Sequence, residues 1–383
     1  MSNINEPLLP SEPGQPTAGG LEGPETTGDV ATTGKPVIAP EDRIGMGKEN
    51  AIALKEVEGL SQGRIVLRRF FRHRGAMTAL IVLTFVVLLV TFSIGWGPFP
   101  GFWQWNFREM NDIEIMGGRP TMGFYDGGFR IGNFPFGQDN VGRDVFAMVM
   151  RGTQQSLTVM FIIGLGSTLI GVVLGALSGF FRGWIDNLVM RFTDMIITIP
   201  VIVIGMVLGR RFGAASAVAL GVALALFTWT TMARLVRGQF IALREQEFVD
   251  AARVAGASNT RIMFKHILPN AVGVIIVNST LLMASAILLE TALSFLGFGI
   301  HWPEVSLGNL ISNYQAAFAT RPWLFWWPGA FIVTIALCVN FIGDGLRDAF
   351  DPRQRRIPTA RAMAKADARA IKKAAKAVTG ENV

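Results

Sequence analysis

Cysteine is nearly absent from this chain. The single Cys338 excludes an intrachain disulfide, and its place in a long apolar run reads as a small buried hydrophobe. Histidine is almost as scarce: His73, His266 and His301 lie far apart and lack metal-ligand spacing. Charge is thin as well. Asp, Glu, Lys and Arg make up 16% of the 383 residues against 50% hydrophobic, so most of the chain is not built to face water. No glycine-rich phosphate loop is present. Gly45-Met46-Gly47-Lys48 runs into Glu49, and Thr33-Gly34-Lys35 into Pro36, where Ser or Thr must follow the lysine. The chain therefore brings no nucleotide chemistry of its own. It also shows no Ser/His/Asp arrangement and no intramembrane cluster of His and carboxylates, which argues against a membrane enzyme.

Long apolar runs are what the chain has. Six stretches, roughly 76–95, 154–180, 186–209, 213–235, 271–298 and 324–346, are long enough to cross a hydrocarbon core ~30 Å thick. Each must be helical, because lipid offers the backbone no hydrogen-bond partners. The expected fold class is therefore an all-α polytopic membrane protein with six transmembrane helices. No charged n-region, short apolar core and cleavage site open the chain, so a cleaved signal peptide is not expected.

Six spans put both termini on one side. With the termini inside, the inner flanks (55–74, 181–187, 236–270 and 347–383) hold 22 Lys and Arg. The outer segments (96–151, 210–213 and 299–323) hold 8, so the bias predicts cytoplasmic termini. It also accounts for the net charge of +7 without nucleic acid.

The expected organisation has five parts. Residues 1–60, rich in Pro, Gly, Thr and Glu, read as a disordered cytoplasmic leader. Residues 61–95 hold an interfacial helix and the first span; Ile65, Leu67, Phe70 and Phe71 suit a helix dipping into the interface while its arginines meet anionic headgroups. Residues 96–151, rich in Gly, Trp and Phe with recurrent turn signals, read as an extracytoplasmic loop or cap. Residues 152–347 form a core of five spans that includes a cytoplasmic loop, 237–270. Residues 348–383 are a basic cytoplasmic tail.

The loop is the most informative segment. EFVDAARVAGASNTRIMFKHILPNA, residues 247–271, is polar and helix-forming between two apolar spans. Ala251 lies over Ala255 and Ala252 over Gly256, a small-residue face that lets another backbone approach. The expectation is two short helices, 240–255 stopped near Gly256 and a second from Ser258 to about Ile267, broken by Pro269 before the fifth span. Such a pair makes a lever: a push on the loop moves the fourth and fifth spans. Within the spans, Glu290 is the notable charge. It lies about 28 Å along the helix from Ala271, close to the outer interface where water reaches it. Its candidate roles are a pathway or gate group, or a structural hydrogen-bonding one. Asp194, Asp344 and Arg347 read as structural or interfacial.

These residues resemble the coupling segment of ABC importer permeases. Asp250-Ala251-Ala252 stands for the opening Glu-Ala-Ala, Gly256 for the glycine and Leu268-Pro269 for the end. Asp250 departs from the usual Glu but keeps the charge. The ending HILPN is similar to the dipeptide and oligopeptide branch, as are 136–157, 293–311 and 340–353. In the second of these four stretches Gln138 replaces a usual Thr. The set points to the C-type subunit and covers about residues 62–353. The resemblance implies the type I ABC importer permease fold in a bacterial cytoplasmic membrane. It also implies a homologous B-type permease as partner, two cytoplasmic ATPases that use ATP and Mg, an extracytoplasmic solute-binding protein and a peptide cargo. The chain itself would be non-catalytic, without cofactor or metal. Glu247, Asp250, Ala251, Ala252, Ala255, Gly256, Leu268 and Pro269 are the residues it implies for coupling. Related permeases carry glutathione, nickel complexes or haem-like molecules, and a stand-alone secondary carrier is the reading from another class; the latter would need midplane ion sites or an internal repeat, and neither appears.

Overall fold

The computed structural model describes residues 62–125, 128–213 and 216–350. The leader, and the tail beyond residue 350, lie outside the described residues. Helix α1 (Gln62–Arg72) leads through His73 into α2 (Arg74–Ile94), the first span. Two small antiparallel hairpins follow on the far side: β1 (Gly95–Trp96) with β2 (Phe99–Pro100), and β3 (Met122–Tyr125) with β4 (Gly128–Ile131). Then come α3 (Val145–Phe181), α4 (Gly183–Ile197), α5 (Val201–Phe212), α6 (Ala217–Thr228), α7 (Thr230–Arg244) and α8 (Glu247–Val254). The chain closes with α9 (Leu268–Phe295), α10 (Leu307–Tyr314) and α11 (Trp323–Phe350).

Four helices are long and apolar enough to span: α2, α3, the continuous run Asn259–Phe295, and α11. Two bent pairs, α4 with α5 and α6 with α7, bring the number to six when each pair is one span. Exposed Ile81, Phe85, Leu169, Val207 and Leu337 point outward, as lipid-facing side chains must.

The spans depart from the sequence reading in shape. The second starts at Val145 rather than 154, giving a helix of 37 residues, about 55 Å, that projects past the hydrocarbon. The third is no straight helix: it breaks by 80° between Ile197 and Val201. Pro200 has no N–H to continue the ladder and pushes Ile199 out of helical geometry. The fourth bends by 44° at Trp229. Pro269, expected to break the loop from the fifth span, does not. A π-helical turn, Ile262–Ile267, widens the ladder so that the Leu268 N–H reaches the Met263 carbonyl. Pro269 then falls in the first turn of α9, where a missing N–H is tolerated.

The centre of the bundle is α3, packed against α6, α7 and α9, with Leu157, Met160, Ile163, Leu220, Leu224, Ile287 and Leu293 fully buried. Its inner half meets α7 through a glycine seam. A Cβ on Gly171 would stand 2.6 Å from that of Met232, one on Gly175 2.9 Å from that of Val236, and one on Gly179 2.7 Å from that of Phe240. Both rows repeat every four residues, so each side chain of α7 sits in a notch of α3. The first helix also departs in detail. Phe70, expected to dip into the interface, is buried against Ala76 and Ala349, while Leu67 and Phe71 stay exposed.

The seam makes a prediction. Gly175→Leu overfills a backbone contact, at a cost of about 1–3 kcal/mol or more. Gly238, on the open side of α7, contrasts with it: Gly238→Ala should stabilise by about 0.5–1 kcal/mol. Thermal unfolding of the two variants in detergent should move in opposite directions; a neutral Gly175→Leu would remove the seam from the account.

Candidate functional site

Val249 is the buried anchor of helix α8. It sits in a cluster with Val236 and Phe240 of α7, Phe180 of α3, Ile262 and Met263 of the π turn, and Ala271 of α9. The loop is thereby a rigid extension of three spans, those of α3, α7 and α9. The opposite face of α8 carries Glu247, Asp250, Ala251 and Val254, spaced three and four apart and exposed, with Val254 at 90%. Asp250 pairs with Arg253 at 2.8 Å, a solvent-exposed pair of small energetic weight. Ala255 ends the helix, and Gly256 follows with φ of +78°. A Cβ there would meet nothing, so glycine serves the left-handed backbone and leaves a flat exposed corner. Ser258 then starts the next turn by accepting from the Arg261 N–H.

The sequence grouping is redrawn in two respects. Ala252, expected on the partner-facing side with Gly256, turns inward and packs on the Val249 cluster. Leu268 packs there too, and Pro269, though exposed, stands at the start of α9 beyond the π turn. The structure gathers Glu247, Asp250, Ala251, Ala255 and Gly256 on one exposed surface. Sequence reasoning missed Val254: an apolar residue at helical spacing opposite Val249 was its signal.

A cavity of about 550 Å³ opens where the two bent spans face α9. Its walls include Ile196, Pro200 and Val201 at the 80° break, Thr228, Thr230 and Thr231 at the α6–α7 bend, and Asn278 and Ser285 of α9. The wall is apolar with scattered hydroxyls and one amide, and no side chain in it is charged.

Glu290 is not part of that wall. The sequence placed it within reach of water; instead it is wholly buried. Hydroxyls of Ser156 on α3 and Ser294 on α9 each donate to it at 2.7 Å, and Ser306, the N-cap of α10, adds a third hydrogen bond. The side chain ties three helices together beneath the outer surface. Burial follows from α10 folding back over α9, where Gly308 lies against the Thr291 backbone.

The outer segment is tied to the bundle by polar contacts. Asp144 caps α3 through the Phe146 and Ala147 N–H groups and accepts from Trp103 at 2.6 Å. Burial pushes its carboxyl up to about 6 against those three hydrogen bonds. Gln138 donates to the Asp112 and Gly142 carbonyls and accepts from the Glu114 N–H, a reach that a threonine there would not have. Glu304 binds Arg108 of the outer segment at 2.9 Å and Arg151 of α3 at 2.8 Å, with Gln155 as a third donor. Burial works to raise the Glu304 carboxyl, but Arg151, Gln155 and Arg108 outweigh it and hold it below the usual value. No group of His, Cys, Asp and Glu suited to a metal occurs among the described residues.

Known proteins give this geometry a family. Residues 171–356 match the binding-protein-dependent transport system inner membrane component, and residues 61–114 match the N-terminal TM domain of oligopeptide transport permease C. The chain is 36% identical over 299 residues to the oligopeptide transport system permease protein OppC of Mycobacterium tuberculosis, covering 78% of this chain and 97% of that protein. The corresponding protein of Haemophilus influenzae is 36% identical over 300 residues, covering 78% and 91%. A putative peptide permease of Brucella ovis is 38% identical over 291 residues, covering 74% and 89%. Among solved structures, the inward-facing MetNI methionine ABC transporter matches with a TM-score of 0.43 at 21% identity, covering 54% of this chain and 98% of that one. The fold is thus that of an inner-membrane permease subunit of an ABC importer. Within that class, the chain belongs to the family of binding-protein-dependent permeases, in its oligopeptide permease C branch.

The Glu304 tie has a defined pH dependence. A lowered folded value means its stabilising contribution is complete above the unfolded value and is lost as pH falls through the folded one. Asp144 works oppositely: raised to about 6, its contribution is present at low pH and lost as pH rises through that value. Hydrogen exchange at amides flanking Arg108, corrected for intrinsic rate, should stay protected above the ordinary glutamate range and lose protection as pH falls below it. A flat profile, or the same loss in Glu304→Gln, would remove the tie as its cause.

Proposed function

We propose that this chain forms half of the translocation pathway of an ATP-driven peptide importer, paired with a homologous B-type permease. The observation that carries the reading is the exposed face of α8. Glu247, Asp250, Ala251, Val254, Ala255 and Gly256 present a small, flat, partly apolar surface on a helix locked by Val249 to three spans. Such a surface suits a docked protein better than water, and its rigidity suits the transfer of motion. A cytoplasmic ATPase docks there, with a second on the partner permease. ATP and Mg are bound and used in those subunits; this chain is non-catalytic and carries no cofactor. Both termini are cytoplasmic in the inner membrane of a bacterium, and an extracytoplasmic solute-binding protein delivers peptide to the outer face.

ATP-driven closure of the ATPase pair draws the two α8 helices together. Through α7 and α9 that motion reaches the bends at Trp229 and Pro200, which wall the cavity. The uncharged wall gives cargo hydroxyl and amide partners without fixing the sign of its side chains, as suits a peptide held by its backbone. The relatives named for oligopeptide and peptide transport support that cargo.

Two measurements test the reading. The tagged chain, gently extracted from native membranes, should co-purify with a second permease, two ATPases and a solute-binding protein. A transport-active chain without an ATPase would overturn it. Gly256→Trp places bulk on the docking corner and strains a left-handed position by about 1–2 kcal/mol. It should insert and fold normally yet lose the ATPases on purification; normal peptide uptake by this variant would refute docking there.

A further inference from the structure

Helix α4 is weakly anchored in the bundle. Only Thr193 and Ile196 are buried along its length, and Leu188, Phe192, Met195 and Ile197 are exposed. Its outer end nevertheless walls the cavity, through Ile196, Ile197 and the break that follows. Something must hold α4 in step with the rest of the chain.

The polar contacts at its inner end do so. Arg237 of α7 grips Asp186 of α4 with two hydrogen bonds, Nε to Oδ1 at 2.6 Å and Nη2 to Oδ2 at 2.7 Å. The Ser178 hydroxyl of α3 donates to the same carboxylate. Two further contacts bracket the pair. Arg244, at the end of α7, donates to the Phe180 carbonyl at 2.6 Å and lies over the Phe180 ring. Arg182 reaches Glu245, in the joint between α7 and α8, at 2.7 Å. Arg182 has φ of +56°, a backbone state that a non-glycine residue rarely holds without outside support. Higher up, Arg234 binds Asp194 at 2.5 Å, and Phe192 stacks on Trp229.

These contacts differ in weight. Arg234–Asp194 and Arg182–Glu245 are about half exposed and contribute little alone. Arg237–Asp186 is bidentate, with the aspartate side chain at 15% exposure, which is the geometry of a strong directional tie. The pair also joins the right elements: α7 runs directly into α8, and α4 runs directly into the 80° break.

We propose that Arg237 and Asp186 are positioning residues of transport. Their paired fork transmits displacement of α8 through α7 to α4 and so to the cavity wall. The inference rests on the coupling role proposed for α8. It adds the residues by which that motion leaves the glycine seam and reaches a span the seam does not touch. Without the fork, α7 would still move with the ATPases, but α4 would follow it less faithfully, held by the exposed Arg234–Asp194 pair, the contacts of Phe192 and Ile196 with Trp229 and Ala233, and the α3–α4 turn.

The test uses the whole transporter, purified through a tag on this chain and placed in nanodiscs, in a Cys338→Ala background. Spin-label pairs are introduced at two sites: Leu188 on α4 with Leu337 on α11, and Ala242 on α7 with Leu337. All three positions are exposed. Distances are read with and without ATP and vanadate. In the otherwise unchanged chain both pairs should shift. In Arg237→Gln and in Asp186→Asn the Ala242 pair should still shift, with ATPase subunits retained, while the shift of the Leu188 pair is lost. The exchanged double variant, Asp186→Arg with Arg237→Asp, should recover it. A Leu188 shift that survives both single variants would overturn the proposal. So would loss of both shifts together, which marks a merely structural pair. If the Ala242 pair fails to move in the unchanged chain, the coupling role of α8 fails first and takes the fork with it.

Discussion

The close approach of α3 and α7 is the constraint on which the rest of the molecule depends. Apolar contact gives little drive between helices in lipid, because the tails are as apolar as the side chains. Backbones must come near enough for dispersion to accumulate, and Gly171, Gly175 and Gly179 allow that along one stripe. Once α3 and α7 are seated, the Val249 cluster can form at their inner ends. With it the loop helix becomes part of the bundle rather than a tether.

The two bends are the complement of that rigid seam. A straight third and fourth span would pack side by side and leave no space. The break at Pro200 and the bend at Trp229 turn backbone away from α9 and open the cavity between them. Rigidity at the inner end and irregularity at mid-membrane are therefore not independent. Irregular backbone is tolerated in a membrane where it lines a cavity, and this is where it occurs.

Polar groups inside the bundle divide by what they face. Glu290 meets only serine hydroxyls and joins three helices. Asp186 meets an arginine and joins a peripheral helix to a central one. The cavity wall has hydroxyls and an amide but no charge. Each placement avoids an unpaired charge in a medium that cannot solvate it.

The class and the presence of a loop helix stopped by a glycine were legible in the sequence, because they depend on local properties: run length, small residues at spacing four, and a glycine that ends a helix. The helix expected over 240–255 is divided, since residues 240–244 complete α7 and α8 begins only at Glu247. Spans one, five and six lie within a few residues of expectation. The departures have local causes with non-local consequences. A proline was read as breaking the loop at Pro269, where the helix continues through a π turn, and no break was expected at Pro200, where one occurs. Proline alone does not say which, since the outcome depends on whether neighbouring helices can accommodate the freed carbonyl. Ala252 and Glu290 were placed by helical phase and by distance along an axis. Their burial was set by what packs across from them, the Val249 cluster and the returning α10. The sequence alone determined that this chain is a polytopic helical membrane protein and carries an exposed helical loop, since hydrophobic length and residue size are properties of a segment by itself. Which side chains meet across the seam, where the cavity opens and which carboxylate meets which arginine were decided only by tertiary packing. Those contacts join residues up to more than 100 positions apart, and no local pattern encodes them.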